Sequence, residues 1–326
     1  MKQRFIILTT ILLLWSCSRE KAPETAQNEQ KKKSLKAFTP PDTSTLAPGL
    51  WGDMVKYGKR LMRNTSYYIG PEGVVSHNVI THMSCNNCHL NDGTKAFGLS
   101  FFNSHKAYPQ YRGREDMILT LADRVNNCIT RPLGGQPLPL DSKEMVAMVS
   151  YIKWLGENYD PEVHEGYGFK DIDIKGLGGR PERGEKVYLS HCKRCHGEDG
   201  AGVLDAKKSM YVYPPLWGDK SYQEASSMHR VLKAAKFIKY NMPNDSSQYY
   251  PVLSDQEALD VAAFINDGRI HPRPKAVHVS FPNINTKSID FFHGPYLDGF
   301  PDSVHAFGPW DDIIAFYTMK GLKPHY

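Results

Sequence analysis

Apolar side chains recur at helical spacing in four stretches of the chain. Trp51 to Arg63 alternates apolar and charged positions in the manner of an amphipathic helix. Met145, Met148, Val149, Ile152 and Leu155 predict a second helix over Asp141 to Asn158. Asp141 is its candidate N-cap, with Glu144 three residues on. Pro181 to Ser190 predicts a third, opened by a proline that suits a first helical turn. Ala258, Val261, Ala262 and Ile265 predict a fourth behind the capping box of Ser254 and Glu257, with Gly268 at its C-cap position. Strand-like alternation is nowhere sustained, so the pattern predicts an all-α protein.

The segments between and around these helices set the organisation. Lys2 and Arg4 precede a short apolar run from Phe5 to Trp15, which reads as an export signal too short to span a bilayer. It ends in Leu14-Trp15-Ser16-Cys17, which resembles a bacterial lipobox and makes Cys17 the candidate lipidated residue. Residues 1–17 are therefore read as a lipoprotein signal and residues 18–47 as a polar, flexible tether. Residues 48–158 form a first domain, 159–179 a Gly- and Asp-rich linker, and 180–268 a second domain. Residues 269–326, rich in Pro, Gly, His and aromatics, predict an extended tail packed over both.

Composition adds little until the cysteines are counted. The 326 residues carry a net charge of +5, too mild to suggest nucleic acid and compatible with small anions or acidic partners. Six cysteines are present: Cys17, Cys85, Cys88, Cys128, Cys192 and Cys195. Four of them fall in Cys85-Asn-Asn-Cys88-His89 and Cys192-Lys-Arg-Cys195-His196, each preceded by one predicted helix and followed by another. In Cys-x-x-Cys-His two thiols bond the haem vinyl groups while the adjacent imidazole binds iron. Two copies in an exported chain predict two covalently bound haems c, with His89 and His196 as proximal ligands and two cytochrome c domains in tandem.

The sixth ligands distinguish the haems. Asn241-Met242-Pro243 follows the second motif, and Met242 is its candidate thioether ligand; Met210 and Met228 are rivals. No Met-Pro follows the first motif. Cys128 lies in that region, near Arg112, Arg114, Arg124 and Arg131, and reads either as a thiolate ligand or as a buried inert cysteine.

Several blocks then resemble the dihaem thiosulfate dehydrogenases, also called tetrathionate synthases. They include Ser84-Cys-Asn-Asn-Cys-His-Leu, Tyr108-Pro-Gln-Tyr-Arg-Gly-Arg-Glu, Asp123-Arg-Val-Asn-Asn-Cys, Tyr213-Pro-Pro-Leu-Trp-Gly, Phe237-Ile-Lys-Tyr-Asn-Met-Pro and His271-Pro-Arg-Pro. The resemblance runs from about Trp51 to Pro309 and implies that the first haem is the active site, with His89 and Cys128 as axial ligands. It implies that Arg114 and Arg124 bind the substrate anion, and that thiosulfate is joined to tetrathionate with electrons passing through the second haem to a redox acceptor such as another cytochrome c. Two positions depart from the family: Pro132 replaces a frequent serine, and Asn241 replaces a lysine found before the ligand methionine in some members. A purely electron-transferring lipoprotein, or a tetrathionate reductase using the same site, are the competing expectations.

Overall fold

Leu50–Arg63 (α1) is helical because Val55, Leu61 and Met62 share one buried face, with Asp53 in the first turn and Arg60 and Arg63 in the last complementing the helix dipole. The computed structural model describes residues 35–207, 209–244, 248–276 and 278–326. Cys17 and the signal lie outside the described residues. The principal helices that follow are α2 (Leu121–Thr130), α3 (Lys143–Leu155), α4 (Pro181–His191), α5 (Val231–Asn241), α6 (Asp255–Asn266), α7 (Asp302–Phe307) and α8 (Asp311–Met319). None of the described helices is long and apolar enough to cross a membrane.

Strand structure is confined to three two-stranded ribbons. Lys36–Ala37 (β1) pairs in parallel with His164–Glu165 (β4), while Gln110–Arg112 (β2) pairs antiparallel with Met117–Leu119 (β3). Val203–Leu204 (β5) and Tyr211–Tyr213 (β6) form the third. The architecture is therefore two tandem helical cytochrome c domains.

Both domains are built on one crossing of their first and last helices, and a glycine makes each crossing possible. A Cβ on Gly58 of α1 would overlap the Ala147 carbonyl of α3. A Cβ on Gly184 of α4 would overlap the Asp260 carbonyl of α6. Removing the side chain lets the backbones touch. An aspartate braces each crossing: Asp92 takes Arg63 Nε of α1 on its carboxylate at 2.9 Å and the Tyr151 hydroxyl of α3 on its carbonyl at 2.9 Å, and the Asp260 carboxylate receives the Arg180 amide at 2.8 Å and Arg183 Nη2 at 2.9 Å.

The two domains are packed into each other. Tyr211 and Tyr222, from the second, complete the first apolar cluster around Tyr151, Phe102 and Met148. The Asn87 side chain donates to the Tyr211 carbonyl at 3.1 Å, and the Gln223 amide to the Pro132 carbonyl at 3.1 Å. Asn241 donates to the Phe97 carbonyl, also across the boundary, at 3.0 Å.

Several local details differ from the sequence expectation. The N-cap of α3 is Ser142, whose hydroxyl accepts from the Met145 amide at 3.2 Å; Asp141 stands one residue too early to reach that donor. The capping box at Ser254 and Glu257 forms as predicted. The C-cap of α6 is Asp267 rather than Gly268: its φ of −73° needs no glycine, and its carboxylate takes the Arg269 side chain at 2.8 and 2.6 Å. The tail holds more regular structure than its composition predicts. Trp310, Ile313 and Tyr317 lie on α8 or at its N-cap at helical spacing and fill the second core beside Leu259 and Ala262.

Gly58→Ala and Gly184→Ala should each destabilise the haem-loaded protein by about 1–3 kcal/mol, the cost of overpacking a close contact. Gly268→Ala, with nothing within 4 Å of its Cβ position, should stay within about 0.5 kcal/mol of wild type in the same denaturant titration.

Candidate functional site

Thr120 opens α2 with a capping box closed by Asp123, which fixes the helix start and thereby the direction of its side chains. Arg124 and Cys128 are four residues apart on that helix and share a face. Both border a cavity of about 140 Å³, together with Cys85, His89, Tyr108 and Tyr167. The His89 Nδ1 lies 2.6 Å from the Leu99 carbonyl, and its ring stacks on Phe101 at 4.5 Å. Nδ1–H donating to that carbonyl leaves the Nε2 lone pair available to a metal.

Cys128 stands within hydrogen-bonding reach of His89. Burial acts to raise its thiol pKa, but Arg124 and His89 together outweigh burial and bring it down to about 7. Cys85 and Cys88 go the other way, pushed up by burial to about 11 and about 12. The attraction is mutual, since Cys128 is the main cause holding Arg124 in its charged form. An imidazole, a low-pKa thiol and a motif cysteine at one cavity form a donor set that fits a haem c with two axial ligands from this chain.

Arg114 is set back from that cavity wall. Its Nε donates to Ser280 Oγ at 3.3 Å and its Nη1 to Ser227 Oγ at 3.2 Å, while Nη2 is buried without a partner among the described residues. Burial, then Arg131 and Arg230, pull its pKa down to about 9. Arg131 lies beside it, donating to Ser280 Oγ at 2.8 Å and to the Val279 carbonyl at 3.1 Å, with Glu115 at 3.3 Å. Arg230 is held by Asp290 and Ser288. The structure thus brings Arg124 and Cys128 together directly, and places Arg114 in a second rank of arginines behind them.

The second motif borders a larger cavity of about 440 Å³ with Cys192, Cys195, His196 and Met242 on its wall. His196 Nδ1 lies 2.8 Å from the Pro214 carbonyl, again leaving Nε2 for a metal. This donor set fits a second haem c with a thioether opposite the imidazole. Met210 and Met228 border the same cavity. Asn241 is fully buried and turned away, its amide spent on the Phe97 and Phe237 carbonyls at 3.0 Å each. Cys85 borders the smaller cavity and Cys88 the larger, so the first motif is the partition between them.

Sequence reasoning missed Tyr108 and Tyr167 as cavity walls, and Glu115, Ser227 and Ser280 as partners of the arginines. Tyr108 lay inside a block of resemblance; Tyr167 sits in a Gly-rich stretch read only as linker, and the two serines carry no local signal. Pro132 contributes its carbonyl and no side-chain donor.

Comparison with known proteins identifies both domains. Residues 77–159 match the family described as SoxA/TsdA, cytochrome c domain, and residues 181–268 match Cytochrome c. The thiosulfate dehydrogenase of Psychrobacter arcticus is 36% identical over 72% of this chain and 68% of its own length. That of Allochromatium vinosum is 34% identical over 73% of this chain and 85% of its own. Among solved structures, the thiosulfate dehydrogenase (TsdBA) of Marichromatium purpuratum in its as-isolated form superposes with a TM-score of 0.68 at 32% identity, covering 80% of this chain. This chain spans only about half of that one, 54% of its length. With both cytochrome c domains matched and relatives aligned over most of their lengths, the chain belongs to the dihaem thiosulfate dehydrogenase family of oxidoreductases and carries two covalently bound haems c.

Proposed function

We propose that the protein oxidises two thiosulfate ions to one tetrathionate at the smaller cavity. The observation that carries this reading is the pairing of Cys128 with Arg124 on one cavity wall, where the guanidinium favours a thiolate. Thiosulfate is a dianion, so two of them repel each other. Arg124 offsets that repulsion at the thiol, and the rank of Arg114 and Arg131 behind it adds positive field. The Cys128 thiolate bonds the outer sulfur of the first thiosulfate with loss of two electrons, giving a cysteine–thiosulfate adduct. The outer sulfur of a second thiosulfate then attacks the outer sulfur of that adduct. Tetrathionate departs and the Cys128 thiolate returns, so atoms and charge balance. When bound, the two haems would supply the electron-accepting chemistry that the chain lacks, with an external carrier such as another cytochrome c as the final acceptor. Cys85, Cys88, His89 and Cys128 would hold the first, and Cys192, Cys195, His196 and Met242 the second.

Export and a lipid anchor at Cys17 complete the reading. They rest on the charged, apolar and lipobox-like order of the first residues. Replacement by Cys17→Ser should move the protein from the membrane fraction to the supernatant on cell fractionation; unchanged membrane association would refute the anchor.

Cys128→Ala should retain both haems, since the motif thiols remain, yet lose thiosulfate turnover by orders of magnitude. Its first haem should change spin state, while the thioether–iron absorption band assigned to the second persists. Wild-type turnover in this variant would refute the mechanism. Arg124→Gln should raise KM for thiosulfate about tenfold or more, because a charged hydrogen bond contributes about 1.5–3 kcal/mol. Steady-state kinetics with an artificial acceptor, normalised to haem content, checks both.

A further inference from the structure

The partners of the buried arginines come largely from outside the two cytochrome c domains. Ser280 Oγ accepts from Arg114 Nε at 3.3 Å and from Arg131 Nη1 at 2.8 Å. The adjacent Val279 carbonyl takes Arg131 Nη2 at 3.1 Å. Backbone bonds fasten the same segment to the arginine loop: the Phe281 amide donates to the Arg114 carbonyl at 2.8 Å, and Thr286 Oγ1 to the Gly113 carbonyl at 3.0 Å. Gly113 permits this approach, since a Cβ there would come within 2.6 Å of Thr286. Asp290 and Ser288, a few residues on, hold Arg230. All of these tail residues lie beyond residue 268, where the match to the second cytochrome domain ends.

Charge explains why a hydroxyl occupies this position. Arg114 sits among the guanidinium groups of Arg131, Arg230 and Arg124, with Glu115 as a nearby counter-charge. Side by side, such groups repel and swing apart unless something holds them. A carboxylate between Arg114 and Arg131 would hold them but cancel the positive field. A hydroxyl oxygen has two lone pairs and no charge, so it can accept from both and leave the field intact. With Nε and Nη1 taken by Ser280 and Ser227, Arg114 keeps one buried donor, Nη2, without a partner.

We propose that Ser280 is a positioning residue for the anion site: by bridging Arg114 and Arg131 it fixes the second rank of arginines, whose charge supports Arg124 at the cavity wall. Ser280 itself does not touch the substrate. The C-terminal tail is on this view a component of the first domain's site as well as cover for the second domain's core. The inference rests on the sulfur-anion reading given above.

The test compares Ser280→Ala, Ser280→Thr and Ser280→Asp in the haem-loaded protein. Two measurements are made: thiosulfate kinetics with an artificial acceptor, and calorimetric binding of tetrathionate to the fully oxidised form. Ser280→Ala should raise both KM and the tetrathionate Kd about three- to tenfold, the effect of one misplaced charged donor, with kcat within about twofold and haem content unchanged. Ser280→Thr keeps the hydroxyl and should restore both. Ser280→Asp keeps the bridge but neutralises charge, so it should fold and still bind weakly, which a purely structural role would not produce. Unchanged KM and Kd in the Ala and Asp variants would overturn the assignment, as would a Thr variant no better than Ala. Should the Ala variant fail to fold, the Thr and Asp pair decides alone. A wild-type protein that binds tetrathionate without oxidising thiosulfate would sink the dehydrogenase reading, and the binding comparison would still judge Ser280. A wild-type protein that does neither would sink both.

Discussion

A guanidinium one helical turn from a buried thiol is stable only where the rest of the fold keeps water and competing charges at a distance. Arg124 and Cys128 stand in that relation on α2, and each holds the other in its charged form. The surrounding structure follows from that constraint. His89 is turned by the Leu99 carbonyl so that its free nitrogen faces the same cavity, and Tyr108 and Tyr167 wall it without adding charge. Positive charge in excess is then unavoidable, and the fold manages it with neutral acceptors. Serine hydroxyls and a carbonyl serve Arg114 and Arg131, and carboxylates are used sparingly, at Glu115 and Asp290.

The second cavity obeys a different rule. It is larger and is lined by Met242, Phe237, Ile238 and Pro215, and of the two arginines on its wall, Arg63 and Arg194, the first is paired with Asp92. An imidazole and thioethers on one largely apolar cavity wall suit electron transfer rather than anion chemistry. Asn241 ties this site to the first domain, because the same residue that ends α5 before Met242 also bonds the Phe97 carbonyl. A lysine there would have to bury an ammonium among backbone carbonyls, which fits its absence from this chain.

Much of the plan was legible in the sequence, and the reasons are local. Cys85–His89 and Cys192–His196 state their chemistry within five residues, and the Ser254–Glu257 box is complete within four. Arg124 and Cys128 were legible only as neighbours in the chain; the helix that sets them on one face carries a capping box, Thr120 and Asp123, that the sequence reading passed over. The misreadings were also local in kind: Ser142 and Asp141 are both good caps, and only the position of the Met145 amide chooses between them. What was not legible depends on chain segments far apart. Tyr211 closing the first core, Asn241 reaching Phe97 and Ser280 bridging two arginines are contacts across more than a hundred residues, and no single stretch of sequence encodes them. The tail helices escaped notice because prolines and glycines on either side masked the period set by Trp310, Ile313 and Tyr317.

The tail's bond to the arginine loop also has a consequence for biosynthesis. The chain is made from its N-terminus, and domains generally fold in that order. Cys128 and its arginines therefore emerge, and the first domain can acquire its haem, well before Ser280 exists to bridge them. Until the segment around Ser280 arrives, Arg131 has Glu115 and Arg114 has Ser227, but nothing joins the two guanidinium groups. Residues made after both cytochrome c domains thus supply contacts to a site whose cysteine and arginines were laid down before them, and a chain cut short of Ser280 would lack those contacts.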